Sequence, residues 1–199
     1  MEELNNIPNE LLGGKRETVM GNDEVGMLHA IVESSKSKDP STQVGAAIVD
    51  KDGNLISVGC NNNPAEWEDK NFPFGNEGDS EYTKYPYIIH AERNCLANYN
   101  GDKNKLQDAT MYVTLFPCNE CAKSIYLSGI KHLVYLDDRR IDDSYSKGAR
   151  RIFDNTNITY EKFNPSNCQG MIASFIAGNE IELLPLENTE DVQRKRKRF

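Results

Sequence analysis

Four residues near the middle of the chain have the types and the spacing of a metal-dependent hydrolytic site. His90 and Glu92 flank Ala91, and Cys118 and Cys121 follow in a Pro-Cys-Asn-Glu-Cys stretch. Zinc prefers nitrogen and sulfur ligands, and a catalytic zinc site uses three protein ligands and leaves a fourth position open for water. The candidate zinc ligands are therefore His90, Cys118 and Cys121. Glu92, two residues from a ligand, is the candidate proton carrier.

This set of residues predicts a reaction as well as a metal. The pattern H-x-E followed by P-C-x-x-C is the signature of zinc-dependent deaminases that act on nucleobases. Zinc lowers the pKa of a bound water to about 7, so that hydroxide is present at neutral pH to attack C4 of a cytosine. Glu92 would take the water proton, pass it to the ring nitrogen, and later protonate the leaving ammonia.

A Cys-x-x-Cys pair by itself has other uses, in structural zinc sites and in redox pairs. The sequence has no second Cys-x-x-Cys to complete a four-cysteine structural site. The remaining cysteines, Cys60, Cys95 and Cys168, show no metal spacing and are interpreted as ordinary thiols. The combination with a histidine and a glutamate at this spacing therefore favours the catalytic interpretation.

Composition limits the classes of protein to consider. The 199 residues carry a net charge of −8, and 38% of them are hydrophobic, which predicts one domain with a full core. The longest apolar runs are too short to span a membrane, and the acidic N-terminus argues against a secretory signal. An acidic body disfavours nucleic acid as a partner and fits a free nucleotide better. The sparse cysteines predict a reducing compartment, the cytoplasm.

The end of the chain departs from this acidic character. Residues 194–198 are all lysine or arginine. They fit either a segment for nuclear targeting or an anionic partner, or a solvated disordered end. The first interpretation would add the nucleus as a location.

The pattern of apolar residues predicts the elements that position the candidate site. Strands are predicted over 43–50, 55–60, 110–115, 131–136 and 158–162, and helices over 22–37, 90–99, 118–128, 147–155 and 171–176. This alternation predicts an α/β layer, with both ligand-bearing helices starting on one side of the sheet. The long polar stretch 61–86 between two such elements is interpreted as a lid or an effector loop.

Four stretches together resemble the deoxycytidylate (dCMP) deaminases of the cytidine deaminase superfamily. They are SKDPSTQVGA at 37–46, TKYPY at 83–87, HAERN at 90–94 and LFPCNECAK at 115–123. The resemblance implies a three-layer α/β/α fold around a five-stranded mixed sheet. It covers residues 21–165 as the catalytic domain, which leaves 1–20 as a flexible arm and 166–199 as a C-terminal extension.

The resemblance also implies an activity and an assembly. Members hydrolyse dCMP to dUMP and ammonia, which feeds thymidylate synthesis, and often form hexamers. His90, Cys118 and Cys121 match the zinc ligands of the family, and Glu92 matches its proton shuttle. Asn61 matches the asparagine that contacts the sugar in the family. The backbone near Ala91 and the side chain of Phe116 are expected to contact the base.

Regulation is where the chain departs from the family pattern. Many members are activated by dCTP with Mg²⁺ and inhibited by dTTP, and they commonly have Gly-Tyr-Asn-Gly after the second strand. This chain has Gly-Cys-Asn-Asn-Asn-Pro at 59–64. Asn62 and Asn63 are therefore the candidate effector-binding residues, and both a regulated and an unregulated enzyme remain open.

Several positions are candidates for holding a 5′-phosphate. Arg139 and Arg140 follow a predicted strand end, where α/β sites form, and an arginine fork suits phosphate. Both can equally be solvated surface residues, and Lys84 and Tyr85 in the long stretch are further candidates. Two other functions stay open: a deaminase of another cytosine nucleotide or nucleoside, and a non-catalytic, zinc-stabilised nucleotide sensor.

Overall fold

A five-stranded mixed sheet organises the part of the chain that the computed structural model describes, residues 19–64, 66–67 and 69–164. The strands are Gly45–Val49 (β1), Leu55–Cys60 (β2), Thr110–Leu115 (β3), His132–Asp137 (β4) and Thr159–Lys162 (β5). Their order is β2-β1-β3-β4-β5, with β1 antiparallel to β2 and β3, and with β3, β4 and β5 parallel. The predicted mixed sheet is confirmed.

Helices cover both faces of this sheet. They are Asn22–Ser34 (α1), Ala91–Asn98 (α2), Asn119–Ser128 (α3) and Ser144–Asp154 (α4). Alternate residues of β3 point to opposite faces. The ring of Tyr112 fills the space beside Gly26 of α1, whereas Met111 and Val113 join α2, α3 and α4 in one apolar core. The fold is therefore the three-layer α/β/α arrangement that the family resemblance implied.

The element boundaries differ from the predicted ones where side chains bond to the backbone. Helix α1 ends at Ser34 rather than at residue 37, and the hydroxyls of Ser34 and Ser35 bond to the carbonyls of Ile31 and Val32. Helix α4 begins three residues earlier than predicted, because the Asp143 carboxylate accepts the N–H of Tyr145 at 2.8 Å.

Three predictions lie outside the described residues. They are the N-terminal arm, the helix at 171–176, and the C-terminal extension with its basic end and Cys168. Within the described part, no helix combines the length and the apolar character needed to cross a membrane.

The two ends of the long excursion between β2 and α2 (residues 61–90) are hydrogen-bonded to each other. Asn62 and Ile89 form an antiparallel bridge, with N–H to carbonyl distances of 3.1 and 3.0 Å. Between them lie two short 3-10 turns, Asp69–Asn71 and Ser80–Tyr82, and the stacked rings of Trp67 and Phe72. The two ends of this excursion therefore meet directly before His90.

One edge of the sheet gathers the ends of several strands. Parallel strands β3 and β4 end there at Leu115 and Asp137. The antiparallel β1 starts there, since the N–H of Gly45 donates to the Thr114 hydroxyl at 3.0 Å, and Gly45 pairs with Cys60 at the end of β2. The segments that follow β2, β3 and β4 therefore all leave the sheet at this edge, where ligands commonly bind in α/β folds.

Candidate active site

Two helices begin at this edge, and each is preceded by a candidate zinc ligand. His90 has an extended backbone and its carbonyl accepts the N–H of Asn94 at 3.0 Å. Cys118 is likewise extended, and its carbonyl accepts the N–H of Ala122 at 2.9 Å. Both residues are thus N-caps, so each helix begins one residue later than the sequence predicted. Free N–H groups and the helix dipole at such positions stabilise anions, including thiolates.

The three candidate ligands have the spacing that zinc needs. The Nδ1 atom of His90 lies 3.5 Å from the sulfur of Cys118 and 3.4 Å from the sulfur of Cys121. All three donor atoms lie within 4.8 Å of one another. Tetrahedral zinc with bonds of about 2.05 Å to nitrogen and about 2.3 Å to sulfur places these atoms about 3.6 Å apart. The donor set and its spacing therefore fit a zinc ion.

The two thiols differ in protonation. A hydrogen bond from the Cys121 thiol, with a further contribution from His90, lowers the pKa of Cys118 to about 4. The same hydrogen bond and burial raise the pKa of Cys121, and a hydrogen bond with Cys118 raises the pKa of His90. One thiolate is thus already favoured at neutral pH, which is the form in which cysteine binds metals.

Glu92 occupies the first turn of α2, two residues after the candidate ligand His90. Its side chain is buried, with the residue 4% exposed. Burial raises the pKa of its carboxyl, because the ionised form loses its hydration. The carboxyl also shares a hydrogen bond with the Cys121 thiol. A carboxyl with a raised pKa, within reach of the metal ligands, is suited both to take up and to release a proton.

Contacts with β2 hold α2 in place, and the sequence did not point to them. The backbone of α2 approaches so closely that a Cβ on Gly59 would lie 2.3 Å from the nitrogen of Cys95. The side-chain amides of Asn94 and Asn98 donate to the carbonyls of Cys60 and Val58 at 2.8 and 2.9 Å. These bonds use carbonyls of an edge strand. The arrangement holds the helix that carries Glu92 against the sheet.

Two of the three cysteines interpreted as ordinary thiols lie in the described part of the chain, and neither is part of the site. Cys95 is buried, and burial raises its pKa to about 12. Cys60 is partly buried, and burial raises its pKa as well. Neither belongs to the group of potential metal ligands.

The residues predicted to contact the sugar and the effector lie beside the site but are largely engaged in the fold. Asn61 is buried: its oxygen accepts the N–H of Val44 at 2.7 Å, and its amide donates to the carbonyl of Thr42 at 2.9 Å. Asn62 pairs with Ile89, and Asn63 is buried with its amide nitrogen unpaired in the described structure. Their contacts with a nucleotide remain predictions.

The residues predicted at the base have different surroundings. Ala91 is the buried first residue of α2, next to Glu92. The ring of Phe116 lies in the core, 4.9 Å from the ring of Tyr135, with the Arg150 guanidinium 4.2 Å above it. The structure therefore gives Phe116 a packing role, and its contact with a base stays a prediction.

The candidate phosphate residues separate into exposed and buried ones. Arg139 and Arg140 are exposed after β4, and Arg139 Nε lies 3.1 Å from a carboxylate oxygen of Asp137. Lys84 is buried and its ammonium is bound by Asp39, so it is not available to a phosphate in this conformation. Asp39 lies in a stretch quoted for the resemblance, but no pattern in the sequence pairs it with Lys84.

Comparison with known proteins identifies the chain. The family described as the cytidine and deoxycytidylate deaminase zinc-binding region matches residues 20–137, which include all three candidate ligands and Glu92. The deoxycytidylate deaminase of Pongo abelii is 36% identical over 162 residues, which are 81% of this chain and 89% of that protein. The chain belongs to the cytidine and deoxycytidylate deaminase family.

Further comparisons place this deaminase among known sequences and structures. The deoxycytidylate deaminase of Mus musculus is 38% identical over 152 residues, 76% of this chain and 84% of that protein. A crystal structure of the dCMP deaminase from the cyanophage S-TIM5, in complex with dCMP and dUMP, matches with a TM-score of 0.53 and 26% identity. The match covers 70% of this deaminase and 95% of the cyanophage chain.

Proposed function

We propose that this deaminase hydrolyses dCMP to dUMP and ammonia, and so supplies dUMP for thymidylate synthesis. The observation that carries the proposal is the group of His90, Cys118 and Cys121 at zinc-ligand spacing, with the buried carboxyl of Glu92 beside it. The named relatives and the cyanophage structure support dCMP as the substrate.

The residues of the site divide the chemistry between them. Zinc, when bound, supplies a Lewis acid that lowers the pKa of water to about 7 and makes a nucleophile at neutral pH. His90, Cys118 and Cys121 would hold the metal at the N-terminal ends of α2 and α3. The carboxylate of Glu92 takes a proton from the attacking water and gives it to N3 of the cytosine. It then carries the second proton to the amino group on C4, which leaves as ammonia.

Burial of Glu92 serves this proton transfer. A carboxyl held away from bulk water keeps its proton between the two steps and stays within reach of both the water and the base. The same burial argues against a non-catalytic sensor, since zinc binding does not need this carboxyl and its burial is unfavourable for folding.

The predicted substrate contacts are part of the proposal. Asn61, Ala91, Phe116 and Arg139 all follow or begin elements at the edge of the sheet where the zinc ligands lie. Asn61 would contact the sugar, Ala91 and Phe116 the base, and Arg139 the 5′-phosphate. The side chain of Arg139 is 62% exposed, so the part of its guanidinium that does not face Asp137 is accessible to a phosphate.

Turnover assays separate the substrates. Zinc-loaded protein is incubated with dCMP, CMP, deoxycytidine and dCTP, and ammonia release and the ultraviolet change are followed. The proposal expects dCMP to have the highest kcat/KM. Deoxycytidine turned over as fast as dCMP would contradict it, because the 5′-phosphate would then contribute nothing to recognition.

Regulation and assembly rest on the resemblance, and the cytoplasmic location rests on the sparse cysteines; all three are proposed with the activity. dCTP with Mg²⁺ as activator and dTTP as inhibitor would act through the segment with Asn62 and Asn63, in a cytoplasmic hexamer. The dCMP assay is repeated with and without dCTP and Mg²⁺. Turnover that requires dCTP supports regulation, whereas equal turnover in both conditions indicates an unregulated enzyme. Sedimentation velocity tests the hexamer.

A further inference from the structure

A buried ion pair joins the segment before β1 to the segment that leads into His90. The ammonium of Lys84 lies 2.7 Å from both carboxylate oxygens of Asp39, and the two side chains are 8% and 3% exposed. Asp39 belongs to the segment between α1 and β1, and Lys84 to the end of the excursion between β2 and α2. The pair therefore connects two stretches of chain that are far apart in sequence.

The carboxylate of Asp39 is fully satisfied by its surroundings. Besides Lys84, it accepts the N–H of Ser41 at 2.8 Å and the amide of Asn61 at 3.2 Å. Burying two charges is unfavourable unless such additional hydrogen bonds compensate for the lost hydration. Removing either partner leaves an uncompensated charge inside the protein, so the pair holds its two segments in one arrangement.

A short path leads from this pair to His90. The carbonyl of Lys84 accepts the N–H groups of Tyr87 and Ile88 at 3.0 and 2.9 Å, which makes a tight turn. Ile89 is then paired with Asn62. His90 is the next residue, so its backbone is held by Lys84 on one side and by the start of α2 on the other.

The side chain of His90 depends on this backbone. Its hydrogen bonds within the described residues go to Cys118 and Cys121, the other two ligands. Metal-binding histidines are usually oriented by a partner on the second ring nitrogen. Among the described residues, no carboxylate or carbonyl is bonded to the second ring nitrogen of His90. The direction of the ring is therefore set by the backbone of the segment that precedes it.

We propose that Asp39 and Lys84 form a positioning pair that holds His90 in the geometry for zinc. The inference deepens the proposed function, because it assigns residues that prepare the metal site for the same reaction. It does not depend on the identity of the substrate, since zinc binding is measured without dCMP.

Three variants test the pair. Lys84→Met removes the ammonium and keeps a side chain of similar length. Asp39→Asn with Lys84→Met removes both charges, so that no unpaired charge destabilises the folded protein. Lys36→Met is the matched control. Lys36 lies three residues before Asp39, but it is exposed, and its ion pair with Glu33 at 2.7 Å is at the surface.

Three quantities are measured for each variant. Zinc affinity is measured by competition with a chromogenic chelator. The stability of the zinc-free protein is measured by urea unfolding. The values of kcat and KM for dCMP are measured at saturating zinc. We expect Lys84→Met and the double variant to bind zinc about tenfold more weakly, the lower end of the loss seen when groups that orient a metal ligand are removed. We expect kcat to fall more than KM rises, and Lys36→Met to match the wild type.

The outcomes separate positioning from general stability. A double variant that is folded without zinc and binds zinc as tightly as the wild type overturns the proposal. Loss of folding in both Lys84→Met and the double variant also overturns it, since the pair is then a requirement of the fold. Absence of dCMP turnover in the wild-type protein would contradict the proposed function and leave the comparison of zinc affinities valid.

Discussion

At the scale of single residues, the environment of Glu92 shows how a carboxyl is prepared for proton transfer. It lies in the first turn of α2, is buried, and has a raised pKa because its charged form is poorly hydrated. Cys118 shows the opposite shift, since a hydrogen bond from Cys121 favours its thiolate. Neighbouring groups thus have different protonation preferences, which is the usual basis for assigning acid, base and ligand roles.

Glu92→Gln tests the role of this carboxyl. The amide has nearly the same shape but cannot accept and release a proton, so kcat for dCMP should fall by about 10²-fold or more. Zinc content, measured by atomic absorption, should equal that of the wild type because Glu92 is not a ligand. Unchanged turnover in a zinc-loaded variant would show that another group carries the proton.

Phe116→Leu distinguishes packing from contact with the base. The ring touches those of Tyr135, Phe153 and Tyr160 and the guanidinium of Arg150, so its loss should lower the free energy of unfolding by roughly 1–3 kcal/mol. If packing dominates, KM for dCMP stays within about twofold of the wild-type value, within the scatter expected of a residue that makes no substrate contact. A large rise in KM with unchanged stability would instead support the predicted contact with the base.

At the scale of elements, the site depends on where two helices begin. Helices α2 and α3 start at the same edge of the sheet, after the ends of β2 and β3, and each carries a ligand at its N-cap. The close packing of α2 on β2 at Gly59 holds one of these starts. A small shift of that helix would move His90 and Glu92 together relative to the two cysteines.

Gly59→Ala tests this packing. The new methyl group would lie 2.3 Å from the nitrogen and 2.8 Å from the Cα of Cys95, so either α2 or β2 must move. We expect a loss of about 1–3 kcal/mol in unfolding free energy, measured in urea, and at least a tenfold lower kcat.

Gly75→Ala is the matched control for this substitution. A Cβ at Gly75 would have no neighbour within 4 Å. Its stability and kcat should therefore stay close to the wild-type values. Equal behaviour of the two variants would show that the α2–β2 contact does not position the site.

At the scale of the whole molecule, the zinc site joins parts of the fold that are far apart in sequence. His90 belongs to the α2 side of the core and the two cysteines to α3, and the described structure brings their donor atoms within 4.8 Å. Zinc that binds the folded protein and not the unfolded chain stabilises the fold by mass action.

Zinc removal should therefore lower the melting temperature as well as abolish turnover. At free zinc about a hundredfold above Kd, the expected stabilisation is about 2.7 kcal/mol. Differential scanning calorimetry with and without a chelator measures it. Cys118→Ser is the control, because its melting temperature should respond much less to the chelator. A wild-type protein that loses zinc without any change in melting temperature would contradict the prediction.

Much of the site was predictable from the sequence because its parts are local. Two cysteines three residues apart meet on one side of a helix start, and zinc chemistry selects the histidine and the cysteines by type. The strands were equally evident: β2 and β3 have the predicted bounds, since apolar β-branched runs between turns identify them. The family resemblance added the mixed character of the five-stranded sheet, which periodicity alone does not provide, whereas the order of the strands came from the structure.

The tertiary structure decided what depends on contacts between distant segments. Asp39 and Lys84 form one buried pair, Gly59 meets the backbone of α2, and Phe116 lies among core rings rather than in the open. None of these has a spacing that a helix or strand period would show. Local backbone geometry determines which side chains share a helix start, whereas the packing of the layers determines which separated residues are buried together.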